Sequence, residues 1–282
     1  MKTRFAPSPT GYLHLGHAFA ALTAYDAARS TGAEFVLRIE DIDRTRCRPE
    51  FEAAIFEDLA WLGIEWQRPV RRQSEHFDAY EAALARLERL GVLYPCFCTR
   101  KEIAAEIACA VDAPHGPEGP RYPGTCRDLA PQFRAARRNE DVYALRLDVA
   151  KARERLGATL QFDERGRGPE GERGMREAQP QLLGDVVLAR KELPASYHLA
   201  VVVDDAMQGI ELVTRGEDLY HATHIQRLLQ ELLGLGGPVY AHHRLIVDET
   251  GKKFSKRNEA VTLRELRAGG ATSADIRKRL GL

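Results

Sequence analysis

The chain lacks long hydrophobic runs, an export signal and more than a few cysteines. No apolar stretch approaches the roughly 20 residues that a membrane-spanning helix requires, so we expect no membrane association. The first residues, MKTRFAPSPTG, lack the apolar segment of a secretory signal peptide. Five cysteines in 282 residues, without such a signal, argue against a disulfide framework and favour a reducing cytoplasm.

The chain also lacks an excess of charge of one sign. Lysine plus arginine equals aspartate plus glutamate at 41 each, so the net charge is zero at neutral pH. Bulk charge therefore gives no sign of a nucleic-acid binder, and any RNA contact must come from local basic segments. RPVRRQ (68–73) and IRKRL (276–280) are two such segments, although a solvated surface is the more ordinary explanation of both.

What the chain does contain is an alternation of apolar strands and helices. Strand candidates at 3–6 and 34–41 alternate with helix candidates at 15–30, 49–62 and 75–90. This order is typical of one half of a doubly wound α/β nucleotide-binding fold. The apolar, β-branched run at 198–219 predicts that buried strands return, and residues 219–234 predict an amphipathic helix.

The segment between these two halves has a different composition. It begins with four of the five cysteines and a Pro/Gly-rich loop, and it continues with charged, weakly periodic sequence. We interpret it as an insertion into the nucleotide-binding fold. The predicted divisions are a first half of the core at 1–92, the insertion at 93–193, a second half at 194–257 and a short helical tail at 258–282.

Two histidines, His14 and His17, stand three residues apart where a Pro/Gly loop turns into an Ala-rich helix. Backbone N–H groups and the helix dipole make such a junction suited to phosphate, and Gly16 lets a base or ribose approach the backbone closely. Imidazoles there can stabilise charge on a phosphorus transition state. A metal site would need further ligands, none of which is nearby in sequence, and a structural histidine pair stays open.

A second basic motif, KKFSKRNEA at 252–260, holds Lys253 and Lys256 in a loop after a strand candidate. Alone it is typical of a solvated turn. About 240 residues upstream stands PSPTGYLHLGH, and together the two resemble, in order and spacing, the HIGH and KMSKS signatures of class I aminoacyl-tRNA synthetases. The resemblance implies a Rossmann-like catalytic core with an inserted connective subdomain. The implied catalytic residues are His14, His17, Lys253 and Lys256, and the implied ATP-binding residues are His14, Gly16, His17 and Lys256.

Four further segments, RFAPSPTG, RIEDIDRTR, YHLAVVVDD and RGEDL, resemble the glutamyl-tRNA synthetase branch in order. Glutaminyl relatives usually carry another loop in place of APSPTG, so the expected substrate is glutamate. By matching position, the resemblance implies a glutamate site of Arg4, Ala6, Ser8, Glu40, Tyr197 and Arg215. Arginines suit the two carboxylates of glutamate, and Glu40 suits its ammonium group. A surface ion-pair cluster is the alternative explanation of RIEDIDRTR.

The cysteines of the insertion resemble the zinc knuckle of the same branch. Thiols clustered in a reducing compartment are more often metal ligands than disulfides. The implied zinc ligands are Cys96, Cys98, Tyr122 and Cys126. Tyrosine is an uncommon zinc ligand, so His115 and Cys109 remain rivals for the fourth position, and reduced, metal-free core cysteines are the alternative to zinc.

Only 25 residues follow Arg257 in this sequence, enough for one or two short helices, the last with Thr272 and Asp275 in a capping-box arrangement. Full glutamyl-tRNA synthetases continue into a large anticodon-binding region. The chain therefore resembles the glutamyl-queuosine tRNA(Asp) synthetases, which lack that region. The resemblance implies a ligase that activates L-glutamate with ATP and Mg²⁺ without needing tRNA. It then transfers glutamate to the cyclopentenediol of queuosine in tRNA(Asp).

We expect this enzyme to be a cytoplasmic monomer with one structural zinc ion. Three alternatives stay open: a conventional glutamyl-tRNA synthetase that charges tRNA(Glu), a HIGH-superfamily nucleotidyltransferase that acts on a small carboxylic acid without tRNA, and a non-enzymatic RNA-binding module. The last would be expected to have degraded ATP signatures, whereas both histidines and both lysines are present.

Overall fold

The computed structural model describes residues 1–109, 115–117, 119–190, 193–247 and 261–282. Its strands are β1 (Lys2–Phe5), β2 (Glu34–Ile39), β3 (Arg71–Arg72), β4 (Leu93–Cys96), β5 (His115–Gly116), β6 (Gly119–Pro120), β7 (Ala144–Leu147), β8 (Gln161–Glu164), β9 (Gly174–Glu177), β10 (Val187–Arg190), β11 (Leu212–Gly216) and β12 (Val239–His243). Its helices are α1 (Leu15–Thr31), α2 (Pro49–Trp61), α3 (Phe77–Arg89), α4 (Arg100–Cys109), α5 (Pro131–Glu140), α6 (Val149–Leu156), α7 (Tyr197–Met207), α8 (Ala222–Leu232), α9 (Leu263–Ala268) and α10 (Ser273–Leu280).

A seven-stranded sheet organises the molecule, in the order β3-β2-β1-β11-β12-β8-β9. All neighbouring strands from β3 to β8 are parallel, and only β9 is antiparallel to its neighbour. The predicted α/β fold of the Rossmann type is confirmed. In such sheets, ligands bind beyond the carboxyl ends of the strands, at the point where the strand order reverses. Here the order reverses at β1, which lies between β2 and β11.

The predicted insertion contributes strands to three sheets. Its strands β10, β7 and β4 form a separate antiparallel sheet in that order, and β5 pairs with β6 in a short hairpin. Its strand β8, however, pairs in parallel with β12 and so extends the central sheet. The division of the chain at residues 93 and 193 therefore stays a prediction, and residues inside those limits reach the nucleotide-binding core.

One secondary-structure prediction was wrong. The apolar run from residue 198 was expected to form strands, but it forms the helix α7, and only β11 is a strand. Seven consecutive residues of α7, Leu199 to Asp205, are buried. A helix buried on all sides shows no 3.6-residue periodicity, so its sequence resembles that of a buried strand.

Two large hydrophobic clusters hold the helices of the molecule in place. One combines residues of α3, α7 and α8 with the small antiparallel sheet, including Tyr80 and Leu199. The other combines α1 and α2 with α9 and α10, including Leu22 and Ile276. The predicted capping box is confirmed, since the Thr272 side chain accepts from the N–H of Asp275. Within the described ranges, no helix has the length and apolar character that a membrane span requires.

Candidate active site

The loop after β1 leads into α1 through His14, which is the N-cap residue of the helix. Nδ1 of His14 accepts a hydrogen bond from the backbone N–H of Gly16 at 3.1 Å, and Nδ1 of His17 accepts from the N–H of His14 at 3.3 Å. Because both Nδ1 atoms accept, each neutral imidazole carries its proton on Nε2. The two rings lie with centroids 3.8 Å apart and their planes tilted by 42°, so two Nε2–H donors are beside the helix N-terminus.

A cavity of about 940 Å³ opens at this junction. It is lined by the predicted ATP residues His14, Gly16 and His17 and by four of the six predicted glutamate residues, Ala6, Ser8, Glu40 and Tyr197. It thus brings together two motif groups that are separated by up to about 190 residues in sequence. A cavity of this size suits a nucleotide and an amino acid side by side.

The other two predicted glutamate residues, Arg4 and Arg215, lie behind the cavity wall. Both are 5% exposed. Nε of Arg4 contacts Asp205 at 3.2 Å, and its Nη1 donates to the carbonyl of Thr214 at 3.3 Å. Arg215 reaches the wall through Tyr197, whose hydroxyl lies 3.3 Å from its Nη1. In this structure Arg215 contacts a lining residue directly, whereas Arg4 is held by groups behind the wall.

A buried ion network holds Glu40 at the cavity. Arg38, which is fully buried, donates to Glu40 at 3.1 Å and to Asp205 at 2.7 Å. Burial raises the pKa of Glu40, and the guanidinium groups of Arg38 and Arg4 offset part of that rise. Burial would also raise the pKa of Asp205, but the same two arginines hold it below its ordinary value. Arg38 and Glu40 of the RIED segment therefore belong to a buried ion network. The alternative explanation, a surface ion-pair cluster, is wrong for these two residues.

A second buried network surrounds Arg215. Its Nε donates to Nε2 of His242 at 3.0 Å, and Nδ1 of His242 faces a carboxylate oxygen of Glu164. Burial lowers the pKa of His242 to about 4, although Glu164 opposes that shift. Burial raises the pKa of Glu164, but the interactions with the His242 side chain and with the backbone N–H groups of His242 and Gly166 together hold the pKa below its usual value. At neutral pH this pair is a neutral imidazole and a carboxylate.

The predicted lysines Lys253 and Lys256 lie outside the described residues. The described chain on either side of that segment is close to the cavity. Leu245 and Ile246 line the cavity, and Thr262 forms a β-bridge with His14. The described residues that flank the segment on its two sides therefore lie at the cavity wall and beside the HLGH motif.

Three predicted zinc ligands form a compact cluster. The sulfur atoms of Cys96, Cys98 and Cys126 all lie within 4.8 Å of one another. The hydroxyl of Tyr122 lies 3.5 Å from Sγ of Cys98, and it accepts from the N–H of Cys126 at 2.9 Å. Three thiols and a fourth donor at this spacing fit the tetrahedral preference of zinc. The side chains of Cys109 and His115, the rivals to Tyr122, are outside the described part of the structure.

The cysteine cluster also borders the cavity. Tyr122 lines it, as does Arg146, whose guanidinium carbon lies 3.8 Å from the centroid of the Tyr122 ring. Burial raises the pKa of the Cys98 thiol to about 11, whereas hydrogen bonds from Tyr122 and the N–H of Phe97 overcome burial and lower the pKa of Cys126. A cation bound here would favour the thiolate of all three cysteines.

Sequence reasoning did not single out several residues that the structure brings to the site. They are Arg38, Asp205, Glu164, His242 and the cavity-lining His198. Arg38 and Asp205 stand inside quoted motifs, so charged residues within buried apolar runs were an available signal. Glu164 and His242 are 78 positions apart, and only the pairing of β8 with β12 brings them together.

Comparisons with known proteins show what the whole chain is similar to. Residues 1–280 match the family of tRNA synthetases class I (E and Q), catalytic domain. The chain is 50% identical over 287 aligned residues to the Glutamyl-Q tRNA(Asp) synthetase of Rhodobacter capsulatus, with all of both chains covered. It is 41% identical to the Glutamate–tRNA ligase of Aquifex aeolicus, covering 96% of this chain and 54% of that protein. A crystal structure of a glutamate tRNA ligase from Elizabethkingia meningosepticum, in complex with its amino acid, matches with a TM-score of 0.72 and 30% identity over 92% of this chain and 52% of that one.

Proposed function

The chain belongs to the class I tRNA synthetases for Glu and Gln, and we propose that it activates L-glutamate with ATP, without needing tRNA, and transfers it to queuosine in tRNA(Asp). The observation that carries the first step is the single cavity shared by the HLGH helix start and the glutamate-branch residues. The acceptor assignment rests on the 50% identity to a Glutamyl-Q tRNA(Asp) synthetase over the whole of both chains.

In the proposed first step, the glutamate α-carboxylate attacks the α-phosphorus of ATP, and pyrophosphate leaves. Positioning and charge stabilisation supply most of the rate in such a step, because the protein forms no covalent bond. The Nε2–H groups of His14 and His17 donate to the phosphates, and Lys253 and Lys256 add positive charge. Mg²⁺ accompanies ATP through phosphate and water ligands. Glu40 accepts the ammonium group of glutamate.

In the proposed second step, a hydroxyl of the queuosine cyclopentenediol attacks the glutamyl carbonyl, and AMP and a proton are released. The wall of the cavity supports an anionic acceptor. It includes the arginines Arg46, Arg121, Arg146, Arg190 and Arg244. Arginine is the side chain best suited to phosphate groups, so this wall fits an RNA loop entering the cavity.

We also propose that Cys96, Cys98 and Cys126 hold one zinc ion, with Tyr122 as the fourth ligand. The ion would be structural, since it would join β4 to the loop that carries Tyr122 and so fix one edge of the cavity wall. No disulfide joins the cysteines that the structure describes, which fits a reducing cytoplasm.

The decisive experiment is glutamate-dependent ATP–pyrophosphate exchange without tRNA, followed by transfer of labelled glutamate to tRNA(Asp). We expect exchange in the absence of tRNA and labelling only of tRNA(Asp) that contains queuosine. The matched substrate is the same tRNA transcript without queuosine, which should stay unlabelled.

Other outcomes separate the alternatives. Charging of tRNA(Glu) would identify a conventional glutamyl-tRNA synthetase, a reading that the 41% identity to the Aquifex aeolicus ligase favours. Exchange without transfer to any tRNA would indicate a nucleotidyltransferase acting on a small acid. No exchange, even with tRNA added, would refute the enzymatic proposal.

A further inference from the structure

We infer that Glu164 and His242 are positioning residues that fix Arg215, and through it Tyr197, in the glutamate site. The inference rests on the proposed function, because it assigns Tyr197 to glutamate. Four side chains form the connection, and the first three are buried: Glu164 is 1% exposed, His242 is 2% and Arg215 is 5%. Tyr197 is the member that lines the cavity.

Arg215 and Glu164, on either side of His242, fix the directions of the hydrogen bonds between these side chains. The guanidinium Nε of Arg215 can only donate, so Nε2 of His242, 3.0 Å away, must accept. The proton of the neutral imidazole is therefore on Nδ1, where it faces Oε2 of Glu164. The hydroxyl of Thr223 lies farther from Nε2, at 3.5 Å. Glu164 thus selects the tautomer that Arg215 requires.

The carboxylate of Glu164 is itself held in one orientation. Its Oε1 accepts the N–H of Gly166 at 2.8 Å and the N–H of His242 at 2.9 Å, which leaves Oε2 for the imidazole. A side chain at residue 166 would collide with the backbone of His242, so only glycine permits this turn. The turn follows β8, which the pairing with β12 places beside His242.

The remaining contacts of Arg215 aim it at the cavity wall. Nη2 donates to the hydroxyl of Thr223 at 2.6 Å, and Nη1 donates to Gln226 at 2.8 Å and to the hydroxyl of Tyr197 at 3.3 Å. If His242 ceased to accept from Nε, the guanidinium plane would turn and the contact with Tyr197 would change. His14 and His17, the proposed phosphate-binding residues, take no part in these contacts. A change at His242 should therefore weaken the binding of glutamate rather than that of ATP.

The substitution Glu164→Gln tests this arrangement sharply. Its amide oxygen must take the place of Oε1, because two backbone N–H groups converge there. Its NH₂ group then faces Nδ1 of His242, and the imidazole must move its proton to Nε2 and present a donor to Arg215. We expect KM for glutamate to rise about ten- to a hundredfold, with KM for ATP changed less than about twofold.

Asp163→Asn is the matched control, since Asp163 precedes Glu164 in β8 and pairs only with Arg165 at the surface among the described contacts. It should leave both KM values at the wild-type level. Equal KM for glutamate in Glu164→Gln and wild type, or equal rises in KM for glutamate and for ATP, would overturn the inference.

A second pair of variants covers the case in which Glu164→Gln fails to fold. His242→Gln places an amide oxygen near the former Nε2 and keeps an acceptor for Arg215, whereas His242→Leu removes it. The rise in KM for glutamate should be smaller in His242→Gln. Equal rises in the two variants would contradict a positioning role.

The tautomer can be read without any activity, by ¹⁵N NMR of histidine-labelled protein. Wild type should show the His242 proton on Nδ1, and Glu164→Gln should show it on Nε2. A wild-type proton on Nε2 would overturn the inference even in an active enzyme. Wild-type protein with the expected tautomer but no glutamate-dependent exchange would instead refute the proposed function.

Discussion

We assign two roles to His14. Its Nδ1 caps α1, and in the proposed function its Nε2–H donates to a phosphate group. Asparagine is a good N-cap, but its shorter side chain places no donor at the position of Nε2, and alanine provides neither the cap nor the donor. His14→Asn should therefore keep the wild-type unfolding midpoint, whereas His14→Ala should lose about 0.5–2 kcal/mol of stability.

Both substitutions should reduce the rate of ATP–pyrophosphate exchange about 10²–10³-fold, the usual effect of removing one transition-state donor. Thermal unfolding and exchange rates measured on the same preparations separate the two roles. Wild-type exchange in His14→Asn would mean that His14 only caps the helix.

Asp58 is a buried carboxylate away from the cavity. It is fully buried in α2, neither of its oxygens accepts a hydrogen bond from the described residues, and Nη2 of Arg267 lies 3.7 Å away. Burial raises its pKa from 3.8 to about 6, although Arg267 opposes the shift. Between these values the folded state binds a proton that the unfolded state releases, so the contribution of Asp58 to stability falls as pH rises from about 4 to above 6.

Asp58→Asn should remove this dependence. The free energy of unfolding of the variant relative to wild type should increase by about 2–3 kcal/mol between pH 4 and pH 8, from the shift in pKa from 3.8 to about 6. Urea unfolding at both pH values measures it. Glu57→Gln is the control, because Glu57 also faces Arg267 but is exposed, and it should change stability by less than about 1 kcal/mol at either pH.

At the scale of secondary-structure elements, sequence patterns predicted α1, β2, α2, α3 and α8 close to their actual bounds. These elements have one apolar face or end at a clear signal such as Gly32 after α1. Burial on all sides hid α7, because a helix and a strand with no exposed face share the same apolar run.

For the candidate site, the residues that line the cavity could be predicted from sequence, whereas those behind its wall could not. Motif order led to Ala6, Ser8, Glu40 and Tyr197, which line one cavity, since each belongs to a local segment with a recognisable pattern. Local patterns do not encode which side chains lie one layer deeper. The positions of Arg4 and Arg215 behind the wall, and their partners Asp205 and His242, follow from strand pairing across the whole chain.

The cysteine cluster joins β4 to the loop that contains Tyr122, so its metal content can be tested as a property of that junction. Cys98→Ser should lower bound zinc well below about one ion per chain, because a thiolate ligand is lost. Cys47→Ser, which alters a thiol outside the cluster, should leave the zinc content unchanged. Unchanged metal in Cys98→Ser would refute the zinc proposal.

Tyr122→Phe tests the fourth ligand separately. If Tyr122 binds zinc, the variant should lose the ion about tenfold more readily to a competing chelator. Retention equal to wild type would transfer the role to Cys109 or His115.

At the scale of the whole molecule, the last helix, α10, packs against α1, the helix that begins at the HLGH motif. Ile276 of α10 is fully buried in the cluster that contains residues of α1, and Arg277 pairs with Asp26 through two hydrogen bonds of 2.8 and 2.9 Å. Ile276→Ala should cost about 2–5 kcal/mol, because it leaves a cavity in that cluster. Arg277→Ala should cost less than about 1 kcal/mol, because its ion pair is partly exposed.

The two hydrophobic clusters predict which helices the loss of stability in Ile276→Ala affects most. The helix that His14 caps belongs to the cluster of Ile276, whereas α8 belongs to the other cluster. In Ile276→Ala, amide hydrogen exchange should therefore accelerate more in α1 than in α8, since local opening follows the packing that was removed. Equal acceleration in both helices would mean that the two clusters open as one cooperative unit, and the site would then depend on the stability of the entire fold rather than on the α1–α10 contact.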